Sequence, residues 1–410
     1  MNSSNHNLTW WQRPDLSYRD GELIFAGRRV SALARQFGTP AFVYSAERVR
    51  HNLQRIHEAI NTAGLGQPHV VYYAMKANRF APLLTFLKQS GLCGIDACSP
   101  AEVEQAVSCG FSPTDISFTA TSLSHSDLDL LARYEGLLMN CDSLHAIREW
   151  GRRKPGTQIG IRINPGLGVG RDDNDKLQYA GSVTTKFGIY REQFAEALAE
   201  AARCGLRVTR IHFHTGCGYL TPQLEQWQRV ISECLWFVDS APDVNSVNIG
   251  GGLGVAHTMS DRRLDLSRWA ALLKENFGTR KLALAVEPGD YVLKDAGLLL
   301  LAKTYLEKKR DTLFLGVDAG FNIAPEPAHY HLPFHAVALH WDGEPVVPVQ
   351  VVGNINEALD VWQDNAQLPD MTEQTWLALI NAGAYSSSMA SNHCMRGGFR
   401  EFLLLKADHE

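Results

Sequence analysis

In Val70-Val71-Tyr72-Tyr73-Ala74-Met75-Lys76-Ala77-Asn78, the apolar run Val70–Ala74 has the length of a strand and Lys76 follows it. A strand without polar alternation is buried on both faces, as strands of parallel sheets are. Outward from it, short runs of the same kind recur at Gly94–Ala97, Ile116–Thr119, Leu137–Asn140, Gln158–Ile163, Val208–His212, Ser246–Ile249 and Leu282–Glu287. Amphipathic stretches separate them, among them Ser99–Ser108, with a Ser-Pro start, and Arg191–Arg203, which stops before Gly205. Eight strand-helix repeats in this span predict an α/β fold, a TIM (β/α)8 barrel over residues 48–300.

The flanks read differently. Residues 1–47 and 301–410 hold strand-like segments (Glu22–Ala26, Thr312–Val317, Ala336–His340, Val346–Val352, Phe402–Lys406) with few helices. A second, β-rich domain, C-terminal but including the N-terminal segment, is expected.

The chain has 410 residues, 45% of them hydrophobic and 20% charged, with a formal net charge of −5 and no long block of like charge. That balance predicts small-molecule partners and self-association rather than nucleic acid or anionic membrane. No apolar run reaches the roughly 18 residues that span a bilayer. Met1 to Trp11 lack the order of a secretory signal, so a cytoplasmic address is expected. Eight cysteines without CxxC pairs suit reduced thiols, and no metal site is expected.

In such a barrel, working groups project from the C-terminal ends of the strands. This sequence places Lys76, Asp96, His214, Gly250-Gly251-Gly252 and Glu287 there. A lysine at a strand end is either a solvated surface charge or, emerging into a barrel mouth, an amine able to form a Schiff base. Three glycines let backbone amides approach a phosphate, and serve equally as a tight turn. Glu287 closes a buried strand and needs a partner, either a pyridinium nitrogen or a barrel arginine such as Arg162. His212 and His214 alternate and share a face, as structural, metal-binding or ring-stacking groups. His329, His331 and His335 are read as loop or interface packing, with metal binding the alternative.

Taken in order, further motifs join these: Gly38 to Tyr44, Tyr73 to Asn78, Asp96 to Glu102, Arg162-Ile163-Asn164-Pro165, Thr185 to Ile189, His212 to Gly216, Glu287-Pro288-Gly289, Val317 to Gly320 and Gly383-Ala384-Tyr385. The series resembles the fold-type III decarboxylases that use pyridoxal 5'-phosphate, above all the diaminopimelate decarboxylase group, over nearly the whole chain. The resemblance implies an alanine-racemase-like barrel with a Greek-key β domain. It also implies that Lys76 forms the Schiff base, that His214 stacks on the cofactor ring and that Glu287 holds its nitrogen. Gly250, Gly251, Gly252 and Tyr385 would bind the phosphate, with Asp96, Arg162, Cys217 and Gly289 also at the cofactor. It further implies a homodimer in which Asn356 and Glu357 reach the partner's site, both being counted as catalytic with Lys76 and His214. Asp290, Glu326, Tyr330, Glu357 and Tyr385 would meet the substrate.

Four departures bear on specificity. Asn356 stands where the resembled family has a proton-donating cysteine, and an amide cannot act as an acid. Asp290 and Glu326 replace two substrate-binding arginines, which predicts a pocket that repels a second carboxylate and attracts an amine or guanidinium. The alternative is that both face solvent or pair with Lys294 and Arg396. Cys217 replaces a phosphate-contacting serine. The expected function is a carboxy-lyase acting on an amino acid with a cationic or polar distal group rather than diaminopimelate. A siderophore or antibiotic intermediate as substrate, amino-acid racemization, and a catalytically silent regulatory homologue are the alternatives.

Overall fold

Eight parallel strands close on themselves in sequence order, each bonded to the next and the last to the first. They are β1 (His69–Ala74), β2 (Gly94–Ala97), β3 (Ile116–Thr119), β4 (Leu138–Cys141), β5 (Gln158–Arg162), β6 (Arg207–His212), β7 (Ser246–Asn248) and β8 (Ala283–Val286). The structure is a computed structural model that describes residues 9–405 except 172, 173, 178 and 182. The barrel expected from the sequence is present, with strand limits unchanged or shifted by one residue.

The helices between strands follow local rules. Pro100–Ser108 begins after Ser99, whose Oγ accepts from the Glu102 N–H at 3.2 Å. Ser143 caps Leu144–Arg153 and Asp265 caps Leu266–Phe277 in the same way. Arg191–Arg203 ends ahead of Gly205, whose φ of 69° the chain needs to turn back into β6.

The chain divides into two compact units. The barrel unit is Asn52–Val255 with Arg262–Tyr291, and the other holds the chain up to His51, Ala256–Asp261 and the chain from Val292. Ala256–Asp261, inside the predicted barrel range, therefore groups with the β-rich unit. There Asn381 Nδ2 donates to the Ala256 carbonyl at 3.0 Å, and the His257 ring bonds the Pro333 carbonyl at 3.1 Å.

The β-rich unit draws on both ends of the chain. Ala41–Ser45 pairs antiparallel with the start of the long strand Gly297–Lys309 and parallel with Arg400–Leu404. Gly297–Lys309 also pairs with Trp376–Ile380 and with Thr312–Val317. Trp11, Phe25, Val43, Leu298, Leu300, Ile380 and Leu404 share its apolar core. Of the predicted strands, Thr312–Val317 is observed unchanged, and Ala336–His340 is His335–Ala338. Phe402–Lys406 is Arg400–Leu404, with Lys406 outside the described residues. His335 is half-buried beside the rings of Trp10 and Trp11, and the exposed His329 ring bonds the Pro325 carbonyl at 3.1 Å.

Candidate active site

Lys76 lies in a single 3-10 turn, Met75–Ala77, directly beyond β1. Two bonds fix the exit from that strand: the buried Tyr73 hydroxyl donates to the Asn78 carbonyl at 3.0 Å, and Asn78 Oδ1 accepts from the Phe80 N–H at 2.9 Å. Burial works against charge on the Lys76 amine, while Asp96, Cys98, Tyr179 and Cys217 around it favour the charge and together push the amine above the ordinary lysine value. Asp96 is buried at the end of β2 and its carboxyl is pushed well up, first by burial and then by the Glu287 charge.

Glu287 lies one residue beyond β8 and is held from three other strands. Its Oε1 accepts from Ser117 Oγ on β3 at 3.0 Å and from Asn248 Nδ2 on β7 at 2.6 Å. Its Oε2 meets His212 Nε2 on β6 at 2.9 Å. Burial works against its charge, yet the His212 contact and the two other donors bring the carboxyl down to about 2. Asn140 on β4 supports the arrangement by donating to Ser117 Oγ at 3.1 Å. The direct partners of Glu287 are thus His212, Asn248 and Ser117, while Arg162 lies over the Phe187 ring, 4.5 Å from its centroid.

The strand ends at His212, yet both histidines of the pair reach this site. His214 Nδ1 accepts from the Gly251 N–H at 3.3 Å, which leaves the proton on Nε2, facing Cys217 Sγ at 3.4 Å. Burial, with the Lys76 and Arg162 charges, holds His214 well below the ordinary imidazole value, so the ring is neutral. Tyr179 lies against it, with ring centroids 4.8 Å apart.

Glycine is required through Gly250–Gly252 for steric reasons. A Cβ would stand 2.4 Å from the Phe213 carbonyl at Gly250, 2.2 Å from the Glu287 carbonyl at Gly251 and 2.3 Å from the Gly216 carbonyl at Gly252. The Arg162–Pro165 and Thr185–Ile189 motifs lock together, the Ile189 N–H donating to the Arg162 carbonyl and Asn164 Nδ2 to the Phe187 carbonyl.

The donor set suits a phosphorylated pyridine aldehyde. No hydrogen bond or ion pair joins Lys76 to another described residue, although charged and polar groups ring it. Glu287 has three donors on a group with about four acceptor positions, leaving capacity on Oε2 for one more N–H. A primary amine, a fixed carboxylate and a neutral imidazole on separate strand ends are what covalent capture and ring polarisation of such a group need.

A family model for the pyridoxal binding domain of pyridoxal-dependent decarboxylases matches residues 47–294. The chain belongs to this family. A diaminopimelate decarboxylase of Methanothermobacter thermautotrophicus is 32% identical over 399 residues, covering 93% of this chain and 91% of the relative. One from Pseudomonas fluorescens is 30% identical over 398 residues, covering 95% and 93%. Among solved structures, diaminopimelate decarboxylase from M. jannaschi superposes with a TM-score of 0.86 at 25% identity, covering 96% of this chain and 93% of that one. A mutant of the Helicobacter pylori enzyme complexed with L-lysine gives 0.82 at 25% identity, with 92% and 94% covered. This decarboxylase is therefore a carboxy-lyase with pyridoxal 5'-phosphate as cofactor, and its barrel with a separate β-rich domain is the fold of those enzymes.

The remaining sequence-predicted residues fall in two places. Gly289 and Asp290 belong to the barrel unit, Asp290 opening the short helix Asp290–Leu293 directly after Glu287-Pro288-Gly289. Glu326, Tyr330, Asn356, Glu357 and Tyr385 belong to the β-rich unit. The Glu326 carboxylate is buried and paired with the buried Lys294 ammonium, so its charge is balanced inside that unit. Asn356 and Glu357 are exposed, Glu357 lying 3.2 Å from the His393 ring. Sequence reasoning missed Ser117, Asn140 and Asn248; the signal available was a polar residue within a step or two of the end of each of three short barrel strands.

Proposed function

We propose that this decarboxylase acts on an amino acid whose distal end is an amine or another cationic or polar group, rather than on diaminopimelate. The observation that carries the reading is Asp290, an acidic side chain placed directly after Glu287-Pro288-Gly289 on the C-terminal side of the barrel. An anion there favours an ammonium or guanidinium and disfavours a second carboxylate. Glu326 contributes little to that selection, because Lys294 balances it.

When bound, pyridoxal phosphate supplies the electron-withdrawing ring that accepts the electron pair left as carbon dioxide departs. The chain's own residues do the rest. Lys76 offers its amine for covalent capture, and Asp96 beside it tolerates a proton because its carboxyl is pushed up. Glu287, kept anionic by its three donors, would face the ring nitrogen and favour its protonated form. The neutral His214 would support the ring, and Gly250, Gly251, Gly252 and Tyr385 would hold the phosphate, with Arg162, Cys217 and Gly289 also available to the cofactor. Asn356 has no acidic proton, so protonation of the substrate carbon falls to Lys76, Tyr385 or water. Tyr330 and Glu357 contact the substrate. The enzyme works as a homodimer, the exposed Asn356-Glu357 loop reaching the partner's site.

A second reading is diaminopimelate itself, favoured by the names of the relatives at about 30% identity. One experiment separates the two. Carbon dioxide release is measured for wild type, Lys76→Ala and Asp290→Arg on meso-diaminopimelate, lysine, ornithine, arginine and citryl-diamine conjugates. Lys76→Ala is expected to lose both activity and the visible absorption of the bound cofactor. Wild type is expected to prefer a cationic substrate, with Asp290→Arg lowering that preference about tenfold or more. Release from diaminopimelate alone would sink the specificity reading, and a visible band that survives Lys76→Ala would sink the assignment of the lysine.

A further inference from the structure

The buried Lys294–Glu326 pair makes contacts that its charge balance alone does not explain. Side-chain exposure is 0% for Lys294 and 3% for Glu326, so both charges have left water for a specific arrangement. Lys294 Nζ also donates to the Ala384 carbonyl at 3.1 Å and lies 5.5 Å from the centroid of the Tyr385 ring. The Lys294 carbonyl accepts from the Gly383 N–H at 3.0 Å. One residue therefore grips three consecutive positions, Gly383, Ala384 and Tyr385. The grip is tight: a Cβ on Gly383 would stand 1.9 Å from the Leu293 carbonyl. The gripped turn is also a costly one, since Tyr385 holds a φ of 54°, a left-handed conformation that a bulky side chain keeps only when its surroundings impose it.

We infer that Lys294 is a positioning residue that holds Tyr385 in its strained conformation for the cofactor phosphate, and that Glu326 is the counter-ion of Lys294 rather than a substrate contact. This rests on the reading of Tyr385 as a phosphate-binding residue. A buried ammonium is a strong clamp for a carbonyl and an aromatic face, and it needs a carboxylate beside it to stay charged.

The test uses full-length Lys294→Met, Glu326→Gln and the double variant Lys294→Met/Glu326→Leu, each also combined with Tyr385→Ala. The double variant removes both charges together, so no unpaired ion remains to unfold it. Read out are the cofactor dissociation constant from the visible band, the melting temperature without cofactor, and KM for the amino acid at saturating cofactor. The double variant is expected to melt like wild type and to regain the Lys76-dependent band at saturating cofactor. Its cofactor dissociation constant should rise about tenfold, the worth of one charge-assisted contact, with KM unchanged and no further loss in the Tyr385→Ala background. A wild-type dissociation constant in the double variant overturns the inference, as do losses that multiply with Tyr385→Ala. Glu326→Gln raising KM alone would likewise overturn it, by making Glu326 a substrate contact. Failure of the cofactor reading itself would show separately, as a band in wild type that does not depend on Lys76.

Discussion

Glu287 and Asp142 are two buried carboxyls within electrostatic reach of Arg162, and their surroundings move them in opposite directions. Glu287 is brought down to about 2 against the cost of burial, because His212, Asn248 and Ser117 all bond its charged form. Asp142 is pushed up to about 6, because burial outweighs the Arg162 and Lys186 charges. The signs differ accordingly. Glu287 stabilises the fold above its unfolded value and loses that contribution as pH falls toward about 2. Asp142 contributes most below its unfolded value of 3.8, and that contribution is lost as pH rises through about 6. Asp142→Asn is therefore expected to unfold at higher denaturant than wild type at pH 8, by on the order of 2–3 kcal/mol, and to match wild type near pH 4. Equal midpoints at pH 8 would show that Asp142 is well solvated. Lys76, Asp96, His214 and Glu287 were legible from the sequence because each sits at or just past a strand end, where the fold dictates orientation. The pairing of Glu326 with Lys294 was one of two readings open in the sequence, since tertiary contact, not local spacing, brings together residues 32 positions apart.

At the scale of elements, the turn after β7 joins two strand ends through backbone contacts and the Asn248 side chain. Gly250 accepts from the Glu287 N–H at 2.8 Å, Asn248 Oδ1 receives the Gly250 N–H at 3.0 Å, and Gly251 faces the Glu287 carbonyl. Gly251→Ala places a methyl where backbone already stands, so the turn must shift and carry His214 and Glu287 with it. We expect a loss of about 2 kcal/mol or more in stability, seen as a lower melting temperature, together with weaker cofactor binding. Unchanged melting would mean that the turn yields freely. The barrel strands could be read because each is a short apolar run between helices. Gly297–Lys309 could not be read as one strand, because Gly297 to Leu301 is buried throughout while Ala302 to Lys309 is half-buried or exposed without alternation, so no single period runs along it.

For the whole molecule, the loop from Gly353 to Asp360 bears on assembly. Asp360 shapes it by accepting from the Phe321 N–H at 2.7 Å and the Ile355 N–H at 2.6 Å, which leaves Asn356 to Leu359 exposed in the single chain. If sites are shared across a homodimer, Lys76→Ala and Glu357→Ala subunits, each inactive alone, should regain activity when mixed and refolded together, because one site of each mixed dimer is intact. Absence of recovery would place Glu357 outside the partner's site. The two-unit organisation was legible in outline from the switch between helix-bearing and strand-only segments. The membership of Ala256–Asp261 in the β-rich unit was not, since it rests on bonds to Pro333 and Asn381 far along the chain.

The strand Ala41–Ser45 lies between partners that follow it by hundreds of residues, Gly297–Leu300 on one side and Arg400–Leu404 on the other. During synthesis it leaves the ribosome with neither neighbour in existence, while all eight barrel strands emerge before the first of them does. Its native pairing must therefore wait until Gly297–Leu300 and Arg400–Leu404 have been made, after every strand of the barrel.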